Sequence, residues 1–334
     1  MFKQTKNDII NIVQGDDNMT DLKILSTREI ENLTPEQRKE YYQRLKEYCS
    51  NLTINRFKNI GQKLISKIYP LLRNYDLEII GEENIPKDDS AIFMCNHSNS
   101  HDIFTAYEVF EQLGRDASVM VASDCLSLAT ETIFRISDAT IIDRRDKVSS
   151  LRGLHEHSKK VIEGTCGVVF GEATWNLNPY LPMQQIKIGG THMGAITEKC
   201  IIPTILEYVE VPDIVTKESE LYTKCIITFG KPIKIDPSLS PIAQTIIVQK
   251  AMEELRLESW RKNGIKRNGL EDINQEVYLN HTYVKKFKAL GFTYDSESEA
   301  KFLYSPNGEP VENEFTLDEN GEFIPGVTPK TRKR

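Results

Sequence analysis

The chain has 334 residues, 39% of them hydrophobic, which is enough apolar side chain for one large domain with an appendage. Its 42 basic and 49 acidic residues leave a formal charge of −7, which argues against a phosphate-tracking nucleic-acid binder. No stretch approaches the ~18 apolar residues that span a bilayer, and Met1-Phe2-Lys3-Gln4 opens without the apolar core of a secretory signal. Any membrane contact is therefore expected to be peripheral. Cys49, Cys95, Cys125, Cys166, Cys200 and Cys225 form no C-x-x-C pair, and several lie in apolar runs, as expected of reduced, buried thiols in a cytoplasmic protein.

Residues 1–33 are polar with weak periodicity and read as a mobile arm. Thr34-Pro35-Glu36-Gln37 then reads as a helix start, with Thr34 as cap, Pro35 at the first helical position and Gln37 reaching back to the cap. Further on, residues 51–75 contain no acid. Phe57, Ile60, Leu64, Ile68 and Leu71 fall at helical spacing beside Arg56, Lys58, Lys63, Lys67 and Arg73. Such a stripe suits either packing on a core or contact with anionic headgroups. Short β-rich runs follow at 77–80, 91–95, 118–122, 139–143, 167–171, 201–206 and 224–229, with helical stretches at 102–113, 124–136 and 147–163. This alternation predicts an α/β domain over 77–264, with a central, mostly parallel or mixed sheet flanked by helices. Ser240-Pro241 opens a last helix to about residue 260. Beyond it, a helix at 270–290 and a β-ribbon within 301–326, with turns at Asn307-Gly308 and Asn320-Gly321, are expected as a small C-terminal appendage.

The run from Ala91 to Asp102 passes from an apolar strand straight into Asn96, His97, His101 and Asp102. His97 is thereby placed at the strand's C-terminal end, where α/β sheets bind ligands, and Asp102 in the first turn of the next helix. A histidine oriented by a carboxylate is a general base, and it needs no protein nucleophile if the acceptor brings its own hydroxyl. Taken alone, the His-x4-Asp spacing is weak. His97, His101 and Asp102 could equally ligate the metal of a hydrolase, although no third histidine falls nearby at a recognisable spacing. His155 and His157, two apart on one helix, point in different directions.

Further blocks follow in order: Ile142-Asp143-Arg144-Arg145, Phe170-Gly171-Glu172-Ala173-Thr174, Lys187-Ile188-Gly189-Gly190 and Ile201-Ile202-Pro203. Together with Asn96-His97-x4-Asp102 they resemble the glycerolipid acyltransferase family, typified by PlsC-type 1-acylglycerol-3-phosphate acyltransferases, over roughly residues 50–260. The resemblance implies His97 as base and Asp102 as its partner. It implies Asn96, Arg144, Arg145, Glu172, Thr174, Trp175, Lys187 and Gly189 at the substrate, with Arg144 on acceptor phosphate. It further implies an acyl-CoA or acyl-carrier-protein donor, a lysolipid acceptor, and no cofactor or metal. The protein would sit on the inner face of the membrane through residues 56–73. Two positions depart from the family's F-P-E-G-T-R block, since Gly171 replaces its proline and Trp175 its arginine. The alternatives are the metal-dependent hydrolase and a catalytically silent lipid-binding protein.

Overall fold

The computed structural model describes residues 22–54, 56, 60–97, 101–123, 126–173, 183, 185–210 and 222–264. The expected C-terminal helix and β-ribbon lie outside these residues, as do residues 1–21 of the expected arm. All seven expected strands are present: β1 (Asp76–Ile80), β2 (Ile92–Cys95), β3 (Ala117–Ala122), β4 (Thr140–Ile142), β5 (Cys166–Phe170), β6 (Ile201–Glu210) and β7 (Tyr222–Phe229). They form one mixed sheet in the order β1-β7-β6-β2-β5-β3-β4. β6, β2, β5, β3 and β4 run the same way. β7 pairs antiparallel with β6, and β1 runs parallel to β7. The edge where the five parallel strands end is therefore the edge where β7 and β1 begin.

The helices are α1 (Thr27–Glu31), α2 (Pro35–Asn51), α3 (Ile60–Leu72), α4 (Asp102–Gln112), α5 (Leu128–Ile136), α6 (Lys147–Ile162), α7 (Gly189–Thr197) and α8 (Pro241–Asn263). They cover both faces of the sheet, so its central strands read as continuous apolar runs. On β2, Phe93 and Cys95 face the core under α3, α4 and α5. Ile92 and Met94 face the second core, under α1, α2, α7 and α8. α2 starts as its sequence predicts: Gln37 N–H donates to Thr34 Oγ1 at 3.2 Å, and Thr34 N–H to Gln37 Oε1 at 3.0 Å.

Residues 22–33 correct the expectation of a mobile arm. Ser26 and Glu29 form a reciprocal cap on α1, and Ile30 is buried in the second core. Glu31 then accepts from Ser240 Oγ at 2.6 Å and from Ile242 N–H at 2.9 Å at the start of α8. The buried Arg38 guanidinium of α2 donates to the carbonyls of Ile30, Leu33 and Ser238, tying α2 to α1 and to the segment that leads into α8. Leu22, Ile24, Leu25, Ile30 and Leu33 all pack in the second core, but they lie at irregular spacing among seven polar residues and give no periodic signal.

The basic amphipathic segment becomes α3, and its two faces have separate uses. Gly61, Gln62, Ile65 and Tyr69 face inward. A Cβ on Gly61 would lie 2.1 Å from Ser137 Oγ, so glycine is required for α3 to meet the end of α5. The predicted stripe faces outward: Ile60 and Leu71 are 62% and 82% exposed, Leu64 and Ile68 are exposed between them, and Leu72, not part of the predicted stripe, is 67% exposed beside Leu71. Lys63 and Lys67 share this exposed side. Two of the expected cations do not. Arg56 pairs with Asp138 at 2.8 Å and Glu163 at 2.9 Å, and Arg73 with Glu108 at 2.7 Å. Phe57 and Lys58 lie outside the described residues. Among the described residues, no helix is long and apolar enough to cross a membrane.

Candidate active site

Cys95 on β2 and Phe170 on β5 are register partners, so the residues two further along each strand, His97 and Glu172, emerge side by side. The connection after β2 leads through α4 over one face of the sheet, and that after β5 through α7 over the other. A crevice opens at the carboxyl ends of strands whose connections diverge in this way. His97 Nδ1 lies 2.8 Å from Asp102 Oδ2. Asp102 is completely buried in the first turn of α4, whereas the His97 side chain is 16% exposed. A carboxylate on Nδ1 holds the proton there and leaves Nε2 as the ring's basic nitrogen. The imidazole also stacks on Phe170, with ring centroids 4.4 Å apart and planes at 28°.

Glu172 is buried, and its Oε1 accepts the His97 backbone N–H at 2.9 Å. Its carboxylate thus positions the loop that carries the histidine. The next residue, Ala173, has φ +57, in the left-handed region where a Cβ is strained. Arg144, beyond β4, donates from Nη1 to the Ala173 carbonyl, which brings its guanidinium to the turn beside Glu172. Lys187 N–H donates to the Gly171 carbonyl at 2.7 Å and its side chain is exposed at the same turn. Gly189 opens α7. His97, Asp102, Glu172, Arg144, Lys187 and Gly189 are therefore gathered at one edge of the sheet. Thr174 and Trp175 lie outside the described residues.

Two expected substrate residues are used differently. Asn96 is completely buried; its Nδ2 donates to the Leu206 carbonyl at 3.0 Å and its Oδ1 accepts the Leu206 N–H at 2.7 Å. It splices β2 to β6 and keeps neither end of its amide for a substrate. Arg145 is 67% exposed and lies 3.7 Å from Asp143. The metal-site alternative needs His101 to turn toward His97. Instead its Nδ1 lies 2.7 Å from Tyr69 Oη. Among the described residues, no three His, Cys, Asp or Glu side chains converge in a way that could hold a metal.

A family model described as Acyltransferase matches residues 76–207, a span that holds the dyad, the Arg144 turn and the Glu172 turn. Residues 76–207 form an acyltransferase domain. A search of curated proteins finds no match. Among solved structures, the chain is similar to the 1-acyl-sn-glycerophosphate (LPA) acyltransferase PlsC from Thermotoga maritima. The identity is 16% and the TM-score 0.45, over 70% of this chain and 86% of that one.

Three features of the candidate site escaped the sequence reading. The packing of Phe170 on His97 depends on the β2–β5 register, which the sequence does not display. The left-handed turn at Ala173 carries no glycine to announce it, although the family's block has glycine at that place. The tyrosines behind His101 come from segments far apart in the chain.

Proposed function

We propose that this acyltransferase transfers a fatty acyl group from a thioester donor to the hydroxyl of a lysophospholipid at a membrane surface. The observation that carries this reading is the His97–Asp102 pair at the sheet edge, inside the matched acyltransferase domain. His97 Nε2 removes the acceptor's hydroxyl proton as the oxygen attacks the acyl carbonyl. The tetrahedral intermediate collapses, the carbon–sulfur bond breaks, and the departing thiolate takes the proton back from the imidazolium. Asp102 stabilises that imidazolium without becoming protonated. The Arg144 guanidinium, held beside the Glu172 turn, supplies charge-assisted bonds to an acceptor phosphate, with Lys187 as a second cation. Acyl-CoA and acyl-carrier-protein both present the required thioester.

The outward stripe of α3, with Lys63 and Lys67 beside it, suits peripheral docking on an anionic leaflet, on the cytoplasmic side of the membrane in this reading. Purified protein, assayed with labelled acyl-CoA and acyl-carrier-protein donors against a panel of lysolipids, should yield acylated products readable by mass. His97→Ala should lower turnover by ~10²–10⁴-fold, and Asp102→Asn by a similar factor, with folding retained. Near-normal turnover in His97→Ala would remove the base from the mechanism. Where the family's block has a second arginine this chain has Trp175, a difference of about 1.5–3 kcal/mol for one charge-assisted bond. Trp175→Arg should therefore raise activity on lysophosphatidate relative to phosphate-free acceptors. Unchanged ratios across the panel would leave Trp175 without a part in acceptor choice.

A further inference from the structure

His101 immediately precedes Asp102, and its ring is tied to a chain of buried hydroxyl groups. Tyr69 Oη lies 2.7 Å from His101 Nδ1 and 2.7 Å from Tyr75 Oη. Tyr75 Oη lies 2.9 Å from Thr105 Oγ1, which in turn lies 3.2 Å from Tyr208 Oη. Tyr69 comes from α3, Tyr75 immediately precedes β1, Thr105 comes from α4 and Tyr208 from β6. These elements meet because β1 begins at the edge where β6 ends. Tyr69, Tyr75, Thr105 and Tyr208 are all buried, and a buried hydroxyl without a partner costs about 1–3 kcal/mol. Each hydroxyl donates once and accepts at least once, so the chain can be satisfied in a single sense along its length. Burial pushes the phenols of Tyr69, Tyr75 and Tyr208 above their ordinary range, which keeps them neutral donors.

The same chain grips α4 on both sides of Asp102. His101, one residue before it, is held through its ring, and Thr105, three residues after it, through its hydroxyl. Thr105 N–H also donates to the His101 carbonyl at 2.9 Å, closing the first turn of the helix. Asp102 is thus clamped between two anchored residues, and the far anchor of the clamp is Tyr69, on the inner face of the helix whose outer face is apolar.

We propose that Tyr69 and His101 are positioning residues for the catalytic pair: the hydroxyl chain fixes the first turn of α4 and so holds the Asp102 carboxylate against His97. This rests on the reading of His97 as general base. Loss of the chain should loosen Asp102 and weaken its support of the imidazolium, while leaving substrate contacts in place. Tyr69→Phe removes one hydroxyl and keeps the ring. His101→Leu removes the ring nitrogen, and His101→Asn returns a polar atom at the Nδ1 position.

With oleoyl-CoA and oleoyl-lysophosphatidate as probes, Tyr69→Phe and His101→Leu should each lower kcat about 10–100-fold with KM within about threefold. The acid limb of their pH–rate profiles should move to lower pH, a change that mere loss of folded protein would not produce. His101→Asn should recover most of kcat, and the Tyr69→Phe/His101→Leu double variant should fall no further than the worse single one. Hydrogen exchange over residues 96–106, which needs no substrate, should quicken in both single variants. Unchanged exchange and unchanged kcat would overturn the positioning role, as would a His101→Asn variant no better than His101→Leu. His97→Ala separates the two readings. If it is inactive while Tyr69→Phe and His101→Leu are normal, the positioning role alone fails. If it retains turnover, the base itself fails.

Discussion

Ala173 shows how a single backbone angle can record a demand of the site. It occupies the left-handed region at φ +57, one residue after the carboxylate that holds the His97 N–H. The turn is closed by Ala173 N–H on the Phe170 carbonyl at 3.0 Å, and its own carbonyl takes the Arg144 guanidinium. The left-handed angle sets where the Ala173 carbonyl goes, so the chain tolerates a strain of about 1 kcal/mol where glycine would have little. Ala173→Gly should therefore raise stability by about 0.5–1 kcal/mol, read as a higher urea midpoint at an unchanged m-value. A lower midpoint would mean that the added freedom of the unfolded glycine outweighs the relieved strain. Asn96 illustrates the opposite case, a polar residue beside His97 whose amide bonds on both sides to the backbone of β6.

At the scale of elements, α3 has two faces with separate uses. Its inner face is fixed by Gln62, which donates to the Arg115 carbonyl at 2.7 Å and accepts the Ala117 N–H at 3.0 Å, and by Ile65 and Tyr69. Its outer face leaves five large apolar side chains exposed. A stripe of this size has no role in the packing of the described residues. Leu71→Asp with Leu72→Asp should abolish binding to phosphatidylglycerol vesicles without lowering thermal stability, since neither leucine is buried. Lys63→Glu with Lys67→Glu should weaken the same binding, and high salt should mimic that pair in the unmodified protein. Binding that survives all four substitutions would place the membrane contact elsewhere.

For the molecule as a whole, the second core carries an unusual load of neutral imidazole. Burial holds His155 down to about 4, and His157 and His192 down to about 3, from an ordinary value of 6.5. His192 bonds Tyr42 Oη at 2.9 Å, His157 bonds Thr140 Oγ1 at 2.8 Å, and His155 meets the edge of Tyr48. The two histidines of α6 thus face different neighbours, as their spacing implied, yet both are buried. Below pH 6.5 the unfolded chain binds protons that the native state refuses, so stability falls as pH falls, through to about pH 3–4. Each histidine contributes a slope of at most ~1.4 kcal/mol per pH unit. Urea midpoints should therefore drop steadily between pH 7 and pH 5. His155→Phe, which keeps a ring against Tyr48, should be near-neutral at pH 7.5 and stabilising at pH 5.5. Parallel pH dependences in the two proteins would remove His155 from the account.

The alternation of β-rich and helical runs, the capping signatures of α2 and α8 and the ordered motif blocks were enough to determine an α/β acyltransferase domain. Those signals are local: a strand's apolar run, a cap three residues from its partner, a block a few residues long. What the chain could not show by itself was pairing. The antiparallel turn of β7 against β6 brings Tyr75 and Tyr208 to the edge beside His101, and the β2–β5 register sets Phe170 and Glu172 against His97. α7 was also invisible. Gly189, Gly190 and Gly194 give it poor intrinsic propensity, and it is buried nearly all round, so it shows no amphipathic period. A Cβ on Gly190 would lie 2.0 Å from Met94 Cε, so the glycine that weakens the helix leaves the Met94 side chain of β2 its place against it. The outward turn of the α3 stripe was likewise decided by tertiary packing. An apolar stripe specifies that something apolar must cover it, but only the assembled core shows that Gln62, Ile65 and Tyr69 took the inner position and left the stripe facing out.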